Sequence, residues 1–206
     1  MPSAPAVPDS RFLRTARRAV PRRHGAAGGI TTGAGPIPAP PAADVKVLPM
    51  KLRDFVVDQA VLPALAAPTR DAALDEMLDA LIAAGAVDAD LHAPLSDLLL
   101  AREKNGSTGF GKGVAVPHVK HPGVKKMCAA VAVSGPGVDF NALDKQPVYT
   151  LFMLVSPSGK PDQHLQAMET LFSNLQKDNF RSFLRQADTA AAVLDLLDEA
   201  DRGELG

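Results

Sequence analysis

The chain has 206 residues, with 22 Lys+Arg against 23 Asp+Glu and 4% aromatic residues, Trp being absent and Tyr present once. Balanced charge and few rings argue against a nucleic-acid partner held by bulk charge or base stacking. The single cysteine, Cys128, excludes an intrachain disulfide framework and a multi-cysteine zinc site, and no apolar run is long enough for membrane insertion as a helix.

The near-neutral total hides an asymmetry. Residues 1–49 carry half of the 18 prolines and six arginines plus Lys46 against Asp9 and Asp44, while the remainder is net acidic. Such a segment has almost no large apolar residues to offset its chain entropy, so it is expected to be a disordered arm. It lacks the apolar run of a secretory signal and the amphipathic, serine-rich pattern of a transit peptide, which leaves the cytoplasm as the expected location. Met50-Lys51-Leu52 reads like a natural start, so an over-extended gene start and a genuine unstructured tail are both open.

From residue 50 the pattern changes. Leu74, Met77, Leu78, Leu81 and Ile82 mark one helical face, with Thr69 as its N-cap and Gly85 as its stop. Leu91, Leu95, Leu98 and Leu99 predict a second helix running to about Lys104 and closed by Asn105-Gly106. Gly106, Gly109, Gly111 and Gly113 then predict a loop with unusual backbone angles. Met127–Val133 and Val148–Val155 read as strands separated by a Gly135-Pro136-Gly137 turn. Leu165, Met168, Phe172 and Leu175 predict a third helix with those residues in the core, and two shorter helices follow. The element order predicted is ααβββα(αα). It implies one α/β (α+β) domain over 50–206, with a mixed, mostly parallel sheet flanked by helices and preceded by the arm.

Three chemistries compete for the loop. Gly106 to Gly113 nearly matches G-x-x-x-x-G-K-[ST], but Gly113 replaces the hydroxyl residue and the loop leads from helix to strand, the reverse of a P-loop. His118 and His121 have H-x-x-H spacing, with His164 distant, but no carboxylate pattern accompanies them. His118 also stands alone at the mouth of the glycine-rich loop, after Val114-Ala115-Val116-Pro117.

The block Arg102-Glu103-Lys104 followed by Gly106-Ser107-Thr108-Gly109-Phe110-Gly111-Lys112-Gly113-Val114-Ala115-Val116-Pro117-His118 resembles the active-site signature of type-2 EIIA domains. These belong to the bacterial phosphoenolpyruvate-dependent phosphotransferase system, in its nitrogen-regulatory and fructose/mannitol branches. Gly137–Asp144, Gln146–Pro157 and His164-Leu165 resemble the same family, and the similarity covers roughly residues 50–200. The resemblance implies that His118 accepts a phosphoryl group on Nε2 while a backbone carbonyl holds Nδ1. It implies that Arg102 supplies forked donors and that His164 donates a hydrogen bond. It also implies a phosphocarrier or regulatory protein needing no cofactor or metal, charged by an HPr-type phosphocarrier and discharged to an EIIB component or a regulatory target. With no EIIB, HPr or membrane segment fused, a stand-alone component is expected. The family usually has glycine after the active histidine, and Val119 stands there instead, adding bulk expected to lie beside the phosphate. Two rival readings are a non-catalytic EIIA-like binding module and a metal-dependent hydrolase using His118, His121 and His164. Arg102 as a plain helix cap and His164 as a surface residue are the bland alternatives for those two positions.

Overall fold

The computed structural model describes residues 50–205, and the arm expected over 1–49 lies outside the described residues. The described residues open with a short 3-10 turn and strand β1 (Val56–Leu62), then helices α1 (Arg70–Ala83) and α2 (His92–Lys104). Short strands β2 (Gly109–Gly111), β3 (Val114–Ala115) and β4 (His118–His121) follow, then the long β5 (Cys128–Val138) and β6 (Val148–Pro157). Helices α3 (Pro161–Leu175), α4 (Asp178–Gln186) and α5 (Ala190–Asp201) complete the fold.

The strands form one six-stranded sheet in the order β1-β5-β6-β3-β2, with β4 also on β6. The β1–β5, β3–β6 and β4–β6 pairings are parallel, and the β5–β6 and β2–β3 pairings are antiparallel. The sheet is therefore mixed and mostly parallel, as the sequence pattern implies. Helices cover both faces, and strand alternation sorts the core into two layers. Cys128, Ala130, Ala132, Leu151, Met153 and Val155 face α1 and α2. Ala129, Val131, Val133, Phe152 and Leu154 face α3, α4 and α5. The small alanines of β5 let α1 approach its face closely.

Several expected elements hold. Thr69 Oγ1 accepts the Ala72 N–H and caps α1, and Gly85 follows α1 with a φ of 69°. Three expectations need correction. β1 is absent from the predicted order because its middle, Asp58 and Gln59, is exposed and its register on β5 shifts between Val56 and Val61, so the run does not alternate cleanly. Gly135-Pro136-Gly137 is not the turn. It lies within β5, where the β6 register shifts between Val133 and Val138 and Gly137 donates its N–H to Ser134 Oγ at 3.2 Å. This is a bulge, which absorbs extra residues without reversing the chain. The chain reverses beyond it, where Asn141 and Lys145 adopt positive φ.

The third correction concerns α3. Its buried residues are His164, Ala167, Leu171, Asn174 and Leu175; of the predicted face Leu175 is buried, Met168 and Phe172 are partly buried against the same core, and Leu165 points outward. The centre of the stripe is thus turned toward His164 and Ala167, by part of the roughly 100° that one residue spans. Ala167 at the contact lets the helix sit low on the sheet, while Leu165 is left 59% exposed.

The close packing over β5 makes a test. Ala130→Leu is expected to lower the unfolding free energy by about 1–3 kcal/mol, whereas Met153→Leu, which keeps volume, costs less than about 1.5 kcal/mol. Urea unfolding of both variants reads the difference, and equal costs would show that the α1 face is loosely packed.

Candidate functional site

The site is built where an edge strand is interrupted. β3 and β4 pair with β6 in a single unbroken register: Val114 with Thr150, Ala115 with Leu151, His118 with Leu154 and Val119 with Val155. Between them lie Val116 and Pro117. Proline has no N–H to give the ladder. The Val116 N–H goes instead to Thr108 O at 3.1 Å, and the Pro117 carbonyl takes the Leu154 N–H at 2.9 Å. The Val116 carbonyl accepts from His118 Nδ1 at 2.8 Å. A carbonyl can only accept, so Nδ1 carries the proton. In the neutral ring Nε2 then keeps its lone pair.

The glycine loop is fixed from beneath. Glu103, 4% exposed, accepts the Thr108 N–H at 3.0 Å and also the Thr108 hydroxyl. Ser107 donates its hydroxyl to Phe140 O at 3.0 Å and accepts the Gly109 N–H at 3.1 Å. A side chain at Gly109 would meet Ala142 at 3.0 Å, so the close approach of these segments needs glycine there. Phe110 packs edge-on to Phe172 at 5.2 Å between ring centroids, which joins the loop to α3.

Arg102, His118 and Val119 line one cleft of about 390 Å³ with Leu98, Asn105 and Lys120. Arg102 donates through Nη1 to Gly106 O at 2.8 Å. It therefore ties down the end of α2 as a cap. The remaining N–H groups of the guanidinium carry no other hydrogen bond or ion pair among the described residues. His164 is brought to the same place from α3. Its ring centroid lies 5.6 Å from that of His118, and its Nδ1 shares a hydrogen bond with Ser156 Oγ at 2.9 Å. At 7% exposure His164 is a buried residue, which rules out the surface reading.

The electrostatics keep both rings neutral. Burial, then the positive charges of Arg102 and Lys120, push His118 below the ordinary histidine value, against opposing effects of the Val116 hydrogen bond and Glu103. Burial, Lys120 and His118 push His164 down to about 4.

Three further expectations can be placed. His121 lies three residues along β4 from His118, so the two side chains face opposite sides of the strand. Its Nδ1 accepts the Gly123 N–H at 3.0 Å. H-x-x-H in a strand therefore does not converge, and no group of three metal-ligating side chains forms among the described residues. Val119 is 7% exposed and packs in the α1–α2 core, while its remaining surface lines the same cleft as His118 and Arg102. Cys128 is buried, and burial pushes its thiol up to about 12, which leaves it unreactive near neutral pH.

Sequence reasoning missed Lys120, the Glu103–Thr108 pair and Ser156. Glu103 and Thr108 were visible as the acid and hydroxyl flanking the start of the loop, and Ser156 as the end of a strand. Their contacts depend on the fold.

An α/β domain that holds a neutral histidine by one ring nitrogen, beside an arginine and a second histidine, is a histidine-centred transfer or recognition domain. Residues 55–200 match the phosphoenolpyruvate-dependent sugar phosphotransferase system, EIIA 2, family, and the chain belongs to it. It is 38% identical over 131 residues to the fructose-specific EIIA component of Haloferax volcanii, covering 64% of this chain and 84% of that one. It is 32% identical over 148 residues to a nitrogen regulatory protein of Bradyrhizobium diazoefficiens, covering 72% and 95%. The crystal structure of nitrogen regulatory protein IIA-Ntr from Neisseria meningitidis superposes with a TM-score of 0.64 at 28% identity, covering 70% of this chain and 97% of that one.

The depressed value of His164 gives a pH test. Below the ordinary value of 6.5 the unfolded chain takes up a proton here that the folded chain refuses until about pH 4. This contribution to stability is intact above pH 6.5 and declines as pH falls through that window. His164→Gln is expected to flatten the pH dependence of unfolding free energy by about one proton between about pH 6 and pH 4.5. An unchanged slope would mean that the folded ring protonates freely.

Proposed function

We propose that this chain is a phosphocarrier or regulatory EIIA protein whose phosphoryl acceptor is His118 Nε2. The observation that carries the reading is the Val116 carbonyl on Nδ1, which fixes the tautomer with its lone pair on Nε2. The donor is a phosphohistidine of an HPr-type phosphocarrier. The Nε2 lone pair attacks phosphorus, a new P–N bond forms, and the donor P–N bond breaks with its electron pair returning to the donor imidazole. The proton stays on Nδ1, hydrogen-bonded to the Val116 carbonyl, throughout, and the donor ring, protonated on its other nitrogen, leaves as neutral imidazole. The phosphoryl group then leaves for an EIIB component or signals to a regulatory target.

Phosphoryl transfer through a loose transition state asks for position and for charge at the equatorial oxygens. Arg102 has guanidinium N–H groups beyond the one that caps Gly106, and Lys120 adds a second cation at the cleft. His164 Nδ1 is engaged by the Ser156 hydroxyl, and in the tautomer that accepts that hydroxyl proton Nε2 carries the ring proton and is a neutral donor. Leu98, 41% exposed, and Leu165, 59% exposed, stand beside these groups and supply apolar surface on which a partner can seat. No helix among the described residues is long and apolar enough to cross a membrane, which accords with partners met in solution.

Incubation with Enzyme I, HPr and phosphoenolpyruvate followed by intact mass measurement tests the reading. The protein is expected to gain one acid-labile phosphoryl group. His118→Ala is expected to fold and gain none, while His121→Ala gains one normally. Label persisting in His118→Ala would move the acceptor elsewhere. Arg102→Lys keeps the charge and loses the planar fork, so transfer is expected to slow by at least about tenfold, about 1.4 kcal/mol, with little change in melting temperature. Unchanged transfer would leave Arg102 as a helix cap alone.

A further inference from the structure

A second cavity, of about 460 Å³, opens at the other end of β6, between the β2–β3 turn and α4. Its walls include Lys112, Tyr149, Ser182 and Arg185. Thr150 lines this cavity, whereas Leu154, four residues further along β6, is the register partner of His118. At a strand rise of about 3.3 Å per residue the two sites are separated by about 13 Å.

Lys112 is presented here at a conformational cost. Its φ is 58°, between Gly111 at 100° and Gly113 at 74°. A lysine in the left-handed region costs about 1 kcal/mol or more, a conformation that the β2–β3 hairpin turn requires here. The turn is locked by Asp144, whose carboxylate accepts the Gln146 N–H at 3.0 Å and the Lys112 N–H at 2.9 Å. These bonds hold Asp144 below the usual carboxylate range. The ammonium of Lys112 has no carboxylate partner among the described residues.

The opposite wall is equally prepared. The Arg185 guanidinium carbon stacks 3.5 Å from the centroid of the Tyr149 ring. Tyr149 is confined by two glycines: a side chain at Gly113 would meet its ring at 3.0 Å, and one at Gly137 would meet it at 2.8 Å. The stack fixes the guanidinium in place. Arg185 forms no ion pair and the Tyr149 hydroxyl no hydrogen bond among the described residues. Two acids line the cavity: Asp178 is paired with Arg181, and Asp144 keeps its negative charge while accepting backbone N–H groups. Against Lys112 and Arg185 the surplus is one positive charge together with hydrogen-bond donors, supplied from a turn, a strand and a helix. That three-sided arrangement suits a tetrahedral oxyanion better than a planar carboxylate, and the volume leaves room for an organic group of sugar size.

We propose that this cavity is a second ligand site, distinct from the histidine cleft, that binds a small phosphate monoester between Lys112 and Arg185. It does not depend on the phosphoryl-acceptor reading of His118. The ester belongs to a free metabolite, either a sugar phosphate or a nucleoside monophosphate.

Nitrogen–proton NMR titration of the full chain with glucose 6-phosphate, AMP, inorganic phosphate and succinate tests this. Saturable shifts are expected at the amides of Gly111, Lys112, Gly113 and Tyr149 with one or both esters, and the stronger ester names the source. Inorganic phosphate is expected to bind more weakly at the same amides. Arg185→Gln and Lys112→Gly are each expected to weaken ester binding by at least about tenfold. Lys112→Gly also relieves the left-handed lysine, so its melting temperature is expected to hold or rise, separating lost binding from lost folding. His118→Ala is expected to bind the ester as tightly as the parent chain. The proposal is overturned by any one of four results: absence of saturable shifts at millimolar ester, affinity unchanged in both cavity variants, binding lost in His118→Ala, or succinate binding as well as the esters.

Discussion

The geometry of the candidate site depends on one hydrogen bond, from His118 Nδ1 to the Val116 carbonyl at 2.8 Å. An exposed imidazole exchanges tautomers and rotates about two torsions. A ring anchored to its own backbone two residues upstream does neither. The Val116 carbonyl lies on the side of the strand away from β6, the side on which the Val116 N–H meets Thr108 O, while the Pro117 carbonyl keeps the β6 ladder. Beyond that last bond toward β2 the Val116 carbonyl is left to orient a side chain, and β4 holds that side chain beside β6 in unbroken register.

The surroundings convert this geometry into a controlled electrostatic environment. Arg102 and Lys120 stand at the cleft, and burial opposes charge on both histidines. A cationic rim around neutral rings is selective. It offers positive charge to an anion in the cleft while disfavouring protonation of the two rings. Glu103 provides negative charge close by, but it is buried and held by Thr108, so it shapes the loop from beneath and leaves the cations free.

The fold class follows from the order of elements, and the candidate residues from pattern: Arg102, His118 and His164 stand out because their neighbours form long patterns of residue identity, and the structure puts Arg102 and His118 on one cleft with the His164 ring 5.6 Å from that of His118. Elements read from amphipathic period alone are less legible. The centre of the α3 face is turned toward His164 and Ala167, which are smaller or more polar than the Leu165, Met168 and Phe172 that a periodicity reading favours, although Met168 and Phe172 do pack partly buried against the core. Size and hydrophobicity outvote position in a periodicity reading, whereas packing against a sheet rewards a small residue at closest approach. β1 escaped for a related reason: an edge strand with an exposed middle has no clean alternation. The bulge at Gly135–Gly137 looks identical in composition to a reversal, and only the longer β5–β6 ladder distinguishes them.

The register of the sheet also ranks its contacts by sequence separation. β5 and β6 are antiparallel neighbours joined by a short connection, so their pairing closes a small loop at low entropic cost. β3 and β4 reach the same β6 across the whole of β5, and α3 returns over the sheet to bring the His164 ring to that of His118. The pairing of β1 with β5 spans a longer stretch still. The two rings meet only where β4, β6 and α3 are all in place, so their proximity reports on the assembled tertiary structure and not on any one segment.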